Sequence, residues 1–492
     1  MRFLLAILAG AIYPLGFDPY SLWPITFLSV VLLFGLIQSL GTRALPVLFL
    51  FAIGKNLFGV SWVYHSILVF GSAEPYLAGL IVCLFVLILS AFYIPGGLIL
   101  DFLARQDRLS LFQAILFASV LSFTEWFLTW FLSGFPWLFA GHSMLDTPLS
   151  NLLPVFGSLG VGWIIFYSCG SLYLWVLERR LIYLAIASLP WVVSLMLYPL
   201  EWVEETGEYR VALVQANIDQ HKKWIHTERN RNFSKHLELS RDHWDADVVI
   251  WPEAAITLFG SEAQNTLNLL DQMAEESNTA FISGIPTIDR SGQGSTVTRN
   301  SLVAVGDGEG VYSKVHLVPF GEFVPFEGLL RGLIGFFDLP MSSMSAGSFD
   351  QKNLTLNFNG SSISAAPAIC YEVAYGETIR RRSIGASFIV NVSNDTWFGE
   401  TQGPWQHLQI ARVRALENGK PLLRATNNGV TAVIDKSGDI LETLPQFESG
   451  VLSASVRLTS GRTPYSYLGD WPLMAGGLLV LLWGYRSRNS QG

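Results

Sequence analysis

Ser364-Ala-Ala-Pro-Ala-Ile-Cys370-Tyr371-Glu372 decides how the rest of the sequence is read. A run of small and apolar residues ends in a cysteine, and a carboxylate follows two positions later. The pattern predicts a buried strand that delivers a thiol to the end of a sheet. A thiol in that place serves as a nucleophile if a cation favours its thiolate and a base lies within reach. Two other stretches offer those partners. Val248-Val-Ile-Trp251-Pro252-Glu253 reads as a strand with a carboxylate at its end. Tyr312-Ser-Lys314-Val-His316-Leu-Val-Pro319-Phe320-Gly321-Glu322 carries a lysine in an otherwise apolar context. Each motif alone is ordinary: a strand-end cysteine is more often structural, Pro-Glu is common, and a hairpin lysine is usually solvated. Cysteine, glutamate and lysine lie far apart along the chain, so only a fold brings them together.

Outward from these motifs, residues 209–457 alternate between strand and helix patterns. Strands are predicted near 210–217, 247–252, 279–285, 299–305, 310–315, 362–369 and 386–392, with three short ones over 421–456. Helices are predicted near 226–243, 262–277 and 404–418, with another from about 374. Near-continuous apolar strands between helices indicate covered α/β sheets. Gly335 and Gly347, on either side of the Ser/Met run 342–345, suggest a mobile loop before the cysteine strand.

The remainder of the chain is different in kind. Of the 492 residues, 51% are hydrophobic and 14% charged, against about 25% charged in ordinary soluble proteins. Residues 1–200 hold seven Lys or Arg and seven Asp or Glu, whereas residues 201–470 hold 22 and 32. A membrane part is thus joined to an acidic part, and no basic patch points to nucleic acid. Apolar runs of spanning length recur at about 3–17, 22–40, 46–70, 76–101, 111–132, 155–177 and 181–199, with an eighth at 471–485. Arg2, Arg43, Arg105, Arg108, Arg179, Arg180, Arg486 and Arg488 all fall on one side of this alternation. Eight spans with both termini cytoplasmic follow from that bias, and residues 200–470 lie outside, in the periplasm of a double-membraned bacterium. Expected domains are residues 1–200, residues 201–460, and 461–492 as the last helix and tail. Lys55 and Glu125 fall inside spans, where a charge is costly and points to a ligand, a pathway or a sealed helix pair. The loop Ser133–His142 is aromatic and rich in Gly and Pro, as a lipid access route or an aromatic belt would be.

Cys83 and Cys169 lie in apolar runs and read as small hydrophobes. Cys370 is alone in the acidic part and has no internal disulfide partner. No phosphate-binding glycine loop or His/Cys ligand spacing occurs, so neither a metal nor a cofactor is expected.

Taken together and in order, the Pro252-Glu253 strand end, the Tyr312–Glu322 block and Cys370-Tyr371-Glu372 resemble the nitrilase superfamily, whose members use a Glu-Lys-Cys triad. Further stretches extend the resemblance over nearly the whole chain. They are Tyr13-Pro-Leu-Gly-Phe17, Gln215-Ala-Asn217 with Gln220-His-Lys-Lys-Trp224, and Asn391-Val-Ser393-Asn394-Asp395-Thr396-Trp397-Phe398-Gly399. They are similar to the membrane-embedded, apolipoprotein-acylating branch of that superfamily. The resemblance implies an α+β membrane protein, with an eight-helix bundle and an α-β-β-α nitrilase-like sandwich domain. It implies a phospholipid acyl donor, a diacylglyceryl apolipoprotein acceptor, a thioester on Cys370 and a location in the bacterial inner membrane. Glu253 is then the general base, and Lys314 stabilises the charge developing on the carbonyl oxygen and holds the thiolate. Glu322 and Glu372 orient Lys314 or share proton transfer, a buried structural ion pair being the plain alternative for either, and Tyr371 flanks the nucleophile. Trp224, Trp397 and Phe398 grip acyl chains or move as lids at a membrane-side mouth; packing within the domain is the plain alternative for each. Two competing readings remain: a membrane-tethered amidase with water as second nucleophile, and a non-catalytic lipoprotein-binding scaffold. Cys370→Ser leaves the scaffold intact and abolishes both enzymes.

Overall fold

Long apolar runs become helices, because in hydrocarbon every backbone polar group must be satisfied within the segment. The structure, a computed structural model, describes residues 1–39, 43–71, 73–103, 110–290, 296–325, 343–358 and 360–489. Arg105, Arg108, Gly335 and the start of the Ser/Met run lie outside the described residues. The chain divides into two compact units: Met1–Glu201 with Thr401–Gln409 and Tyr467–Gly492, and Trp202–Glu400 with Ile410–Ser466.

The first unit is helical. Pro75–Leu103 and Pro148–Glu178 are long and apolar enough to cross a membrane, and Ala44–Gly59 with Val63–Phe70, bent by 59°, adds a third if that pair is one span. Arg2–Gly16, Trp23–Gln38, Leu111–Phe127 and Leu181–Leu197 are shorter apolar helices, and Trp471–Asn489 closes the unit. Glycines let two of them touch. A Cβ on Gly10 would meet Phe51 O at 2.0 Å, and one on Gly54 would meet Ile7 O at 2.1 Å, the close approach that small residues permit between helices. Lys55 is buried; its Nζ donates to Tyr93 Oη at 2.9 Å and lies 4.8 Å from the Tyr13 ring centre. Glu125, also buried, accepts from Ala140 N at 2.9 Å. The 133–142 loop is not an open belt: Trp137, Phe139 and His142 are buried. Trp62 and Trp137 both donate their indole N–H to Gln406 Oε1, at 3.1 and 2.7 Å. Those bonds tie the distant segment Thr401–Gln409 to this unit.

The second unit is an α/β sandwich. Its strands are β1 (Val203–Gln215), β2 (Val248–Ile250), β3 (Ala280–Arg290), β4 (Thr296–Gly306), β5 (Gly308–Ser313), β6 (Leu354–Phe358), β7 (Ser361–Ile369), β8 (Phe388–Ser393), β9 (Leu422–Thr426), β10 (Thr431–Ile434), β11 (Ile440–Leu444) and β12 (Gly450–Gly461). They hydrogen-bond in the order β11-β10-β9-β8-β7-β6-β5-β4-β3-β2-β1-β12. β1 also packs against β9, and β12 against β10. The ribbon therefore folds back on itself at β5 and β6, giving two facing sheets. Each sheet has a parallel trio, β1-β2-β3 and β7-β8-β9. The first is covered by helices Arg229–Ser240 and Gly260–Ser277 through a core of Val249, Trp251, Phe281, Leu270 and Ala274. β2 ends just before Glu253 and β7 just before Cys370, so equivalent strand ends carry both groups.

Several strands differ from the sequence reading, β3 running on to Arg290 among them. Residues 421–456 hold four strands instead of three, and β6 had no reading at all. β1 begins at Val203, well before 210, because β12 pairs with it antiparallel from Val203↔Gly461 onward. That half of β1 is polar and exposed, so only the partner strand makes it extended. Gly347 lies beside the Lys314 main chain, its N–H donating to Lys314 O at 2.8 Å.

Candidate active site

Each of the three motif residues sits where regular structure stops. Trp251, fully buried, caps β2; its N donates to Ile282 O and its indole N–H to Ser240 Oγ, both on neighbouring elements. The chain then turns through Pro252 and Glu253 into Ala254, whose φ is +47°. β3 passes so close that a Cβ on Gly284 would lie 2.4 Å from Ala254 N and 2.7 Å from Glu253 Cα. Lys314 follows β5, its N donating to Asn300 O at 2.8 Å. Cys370 follows β7 with φ +52°, a strained, sparsely populated conformation for a side-chain-bearing residue.

Side chains then converge. Lys314 Nζ lies 2.8 Å from Glu322 Oε2, 2.9 Å from Glu322 Oε1 and 3.7 Å from Glu253 Oε1. Asn300 Nδ2 bridges the two carboxylates, donating to Glu253 Oε1 at 2.7 Å and to Glu322 Oε1 at 2.9 Å. Glu322 is anchored in turn by Val318 N at 2.8 Å. Cys370 is buried and interacts electrostatically with both Glu253 and Lys314. Burial pushes its thiol up to about 12; Glu253 adds to the rise and Lys314 opposes it. Desolvation outweighs one lysine here, so the Cys370 side chain is a thiol at neutral pH. Burial alone would lower Lys314, but Glu322 and then Glu253 hold it above its ordinary value, so it stays charged.

Residues 210–463 match the carbon-nitrogen hydrolase family, and residues 9–171 match the apolipoprotein N-acyltransferase N-terminal domain. Relatives named apolipoprotein N-acyltransferase match end to end. That of Vibrio parahaemolyticus is 39% identical over 99% of this chain and 98% of its own length. That of Vibrio cholerae is 41% identical over 96% and 94%, and that of Pseudomonas aeruginosa 39% over 99% and 96%. The chain belongs to the apolipoprotein N-acyltransferase family. It is an acyltransferase, built on a carbon-nitrogen hydrolase domain.

In this member of the apolipoprotein N-acyltransferase family the supporting residues divide by what they touch. Glu322 orients Lys314. Glu372, fully buried, does something else. Its Oε1 accepts from Tyr312 Oη (3.0 Å), Val315 N (2.6 Å) and His316 N (3.1 Å), and its Oε2 from Ile369 N (2.9 Å). It pins the chain after Lys314 to the chain before Cys370. Tyr371 is buried edge-on against Tyr375, ring centres 5.3 Å apart. Trp224 is half-buried with its ring 6.4 Å from that of Phe259. Trp397 and Phe398 lie half-buried on the short turn Asp395–Phe398.

Four residues enter the site without having been singled out. Asn300 left no sequence signal, being one polar residue in a strand. Ser393 hydrogen-bonds the Cys370 side chain and donates to Asp395 Oδ1 at 2.7 Å. Asp395 is paired with the fully buried Arg424 at 2.6 Å. Lys223, inside the quoted Gln220–Trp224 block, is buried, and its Nζ donates to Glu253 O at 2.9 Å.

Proposed function

We propose that this chain takes an acyl chain from a membrane phospholipid onto Cys370 and passes it to the α-amine of the diacylglyceryl-cysteine that begins an apolipoprotein. The observation that carries this reading is the meeting of Glu253, Lys314 and Cys370 at the ends of β2, β5 and β7, in a chain whose relatives are named for that transfer. Glu253 takes the Sγ proton as sulfur attacks the ester carbonyl carbon. The negative charge moves to the carbonyl oxygen, where the Lys314 ammonium meets it. Collapse expels the lysophospholipid alkoxide, which receives the proton from Glu253 and leaves a thioester. The acceptor amine then attacks as a neutral nucleophile, Glu253 removes its proton, and the departing thiolate is reprotonated. Proximity supplies much of the rate, since a lipid ester is a mild acyl donor.

The eight apolar segments are read as eight spans, with both termini cytoplasmic, the α/β unit periplasmic and the inner membrane as location. The support is the arginine bias between segments. The acyl step is tested by intact mass of the protein incubated with phospholipid and no acceptor. An added acyl mass, released by neutral hydroxylamine and absent in Cys370→Ser, is expected. Folded protein that never gains it sinks the thioester mechanism and directs attention to small-amide hydrolysis.

A further inference from the structure

Buried charges are retained in proteins when they are paired, so the ions around Cys370 can be counted. Glu253 and Glu322 share one cation, Lys314, at 3.7 and 2.8 Å. Asp395 has its own, Arg424. Glu372 is held by three amides and a hydroxyl. One negative charge is left over between Glu253 and Cys370, and the reaction conserves it: it sits on the carboxylate, then on sulfur as the proton moves, then on the carbonyl oxygen.

Among the described residues, Lys223 is the remaining buried cation that interacts with both Glu253 and Cys370. It ends the short helix Gln220–Lys223, which Asp219 caps through His221 N. Gln220 in turn accepts from Asn394 Nδ2 at 2.7 Å, so the helix is locked to the turn after β8. The ammonium is buried yet forms no ion pair with a carboxylate among the described residues. Its side-chain hydrogen bond goes to the main-chain carbonyl of Glu253, in a turn that Gly284 already crowds. It interacts electrostatically with both Glu253 and Cys370, the two ends of the proton transfer.

We propose that Lys223 is a positioning residue for this reaction: it clamps the Glu253 turn through the main chain and balances the single negative charge that travels from Glu253 to Cys370 and on to the acyl carbonyl. The proposal rests on Cys370 and Glu253 being nucleophile and base. Burial lowers Lys223 to about 8, with Glu253 and Cys370 opposing the fall, so the charge is present at neutral pH and is lost in mild alkali. The charged and titratable groups coupled to Lys223 are Glu253, Cys370 and His236; those coupled to Cys370 also include Lys314 and Asp395.

The test is the pH profile of Cys370 alkylation by iodoacetamide, read at that residue by peptide mass, in the full-length protein and in Lys223→Met. Lys223→Gln, which keeps a donor for the carbonyl but no charge, is the companion should the methionine variant not fold. Loss of the charge is expected to make alkylation about tenfold slower below about pH 8, where the wild-type lysine is charged, with the two rates converging above it. Thioester formation from phospholipid falls at least as far. A folded variant whose alkylation profile overlays the wild type overturns the proposal, whatever its thermal stability. The two readings fail differently. If the wild type forms no thioester while the alkylation profile still shifts, the nucleophile reading falls and the coupling stands. If the wild type forms a thioester and the profile does not shift, Lys223 alone is excluded.

Discussion

Glu253→Gln separates two effects of one carboxylate, and they have opposite signs. In the native site, burial and the Glu253 charge together push the Cys370 thiol up to about 12. At pH 7.5 the thiolate is then about 3 in 100,000 of the population, so productive attack depends on proton removal during the step itself. A positioned general base contributes about 10²–10⁴-fold. Glutamine keeps an oxygen for Asn300 Nδ2, which bonds Glu253 Oε1 at 2.7 Å, so the geometry is conserved while the base is lost. Acyl-enzyme formation should therefore fall by about 10²–10⁴-fold. Removing the negative charge also lifts one of the three influences that raise the thiol, the others being burial and Asp395. The pH profile of Cys370 alkylation by a small reagent should consequently move to lower pH. The assay pairs hydroxylamine-sensitive acyl incorporation with alkylation on the same preparation. Acylation within tenfold of wild type in folded Glu253→Gln would refute Glu253 as the base, and an upward shift in the alkylation profile would refute the charge argument.

Three further outcomes follow from the same geometry. Glu372→Gln leaves one oxygen for four donors, so at least one buried amide N–H faces another N–H; a loss of about 2–3 kcal/mol is expected for a bond to a charged acceptor, read by thermal unfolding, and a change under about 0.5 kcal/mol contradicts the pinning role. Gly284→Ala places a Cβ 2.4 Å from Ala254 N, 2.6 Å from Pro252 O and 2.7 Å from Glu253 Cα, all main chain; the turn must move, and displacement near 1 Å costs about a hundredfold in acylation, so near-normal rates in this variant contradict the close pass. His236 is buried against Trp251 and pushed down to about 4, chiefly by burial, so between pH 6.5 and 4 the unfolded state binds a proton that the folded state refuses. Stability is full above that window and falls by up to about 3 kcal/mol as pH drops through it; His236→Gln should flatten the unfolding midpoint between pH 7 and 4.5, and an unchanged slope would remove His236 from the account.

The parts of this fold that were legible in the sequence are those written in contiguous residues. The apolar run ending at Cys370 and the one ending before Glu253 announce buried strands, because a parallel strand covered on both faces needs side chains of one kind throughout. The helices of the first unit are legible for the same reason. What stayed hidden depends on approach between distant segments. Asn300 matters because an antiparallel neighbour brings it between two carboxylates. The donors to Glu372 are main-chain amides, which no side-chain pattern reports. The polar half of β1 that β12 makes extended carries no apolar alternation to read, and β6, which does alternate as Leu354, Leu356 and Phe358, is only five residues long. Gly284 matters only because another turn passes 2.4 Å from where its Cβ would be. Thr401–Gln409 joins the helical unit through three glutamines: Gln402 donates to Phe58 O, Gln406 accepts from two indoles and Gln409 accepts from Asp18 N.

Burial explains why the site is arranged as it is. A surface thiol would be partly ionised and would react with any electrophile or oxidant that reached it. On the proposed mechanism the Cys370 thiol, kept almost wholly protonated by desolvation, is inert until a base and a carbonyl are both aligned with it. That protection carries a requirement. Every charge formed in the reaction arises where water cannot solvate it, so fixed groups must already be in place to receive it. Lys314 cannot meet that requirement alone, because Glu322 engages it with both oxygens at under 3 Å while Glu253 stands at 3.7 Å. Glu322 immobilises the lysine and simultaneously dilutes its field at the reacting atoms. A second buried cation beside Glu253 restores the balance, and Lys223 occupies that position. Glu322→Gln should then have two consequences: Lys314 becomes less well fixed, yet its charge is freer to act on Cys370. The alkylation profile of Cys370 is expected to move to lower pH even as acyl transfer slows, and a profile that moves upward would show that Glu322 serves the lysine's charge and not only its position.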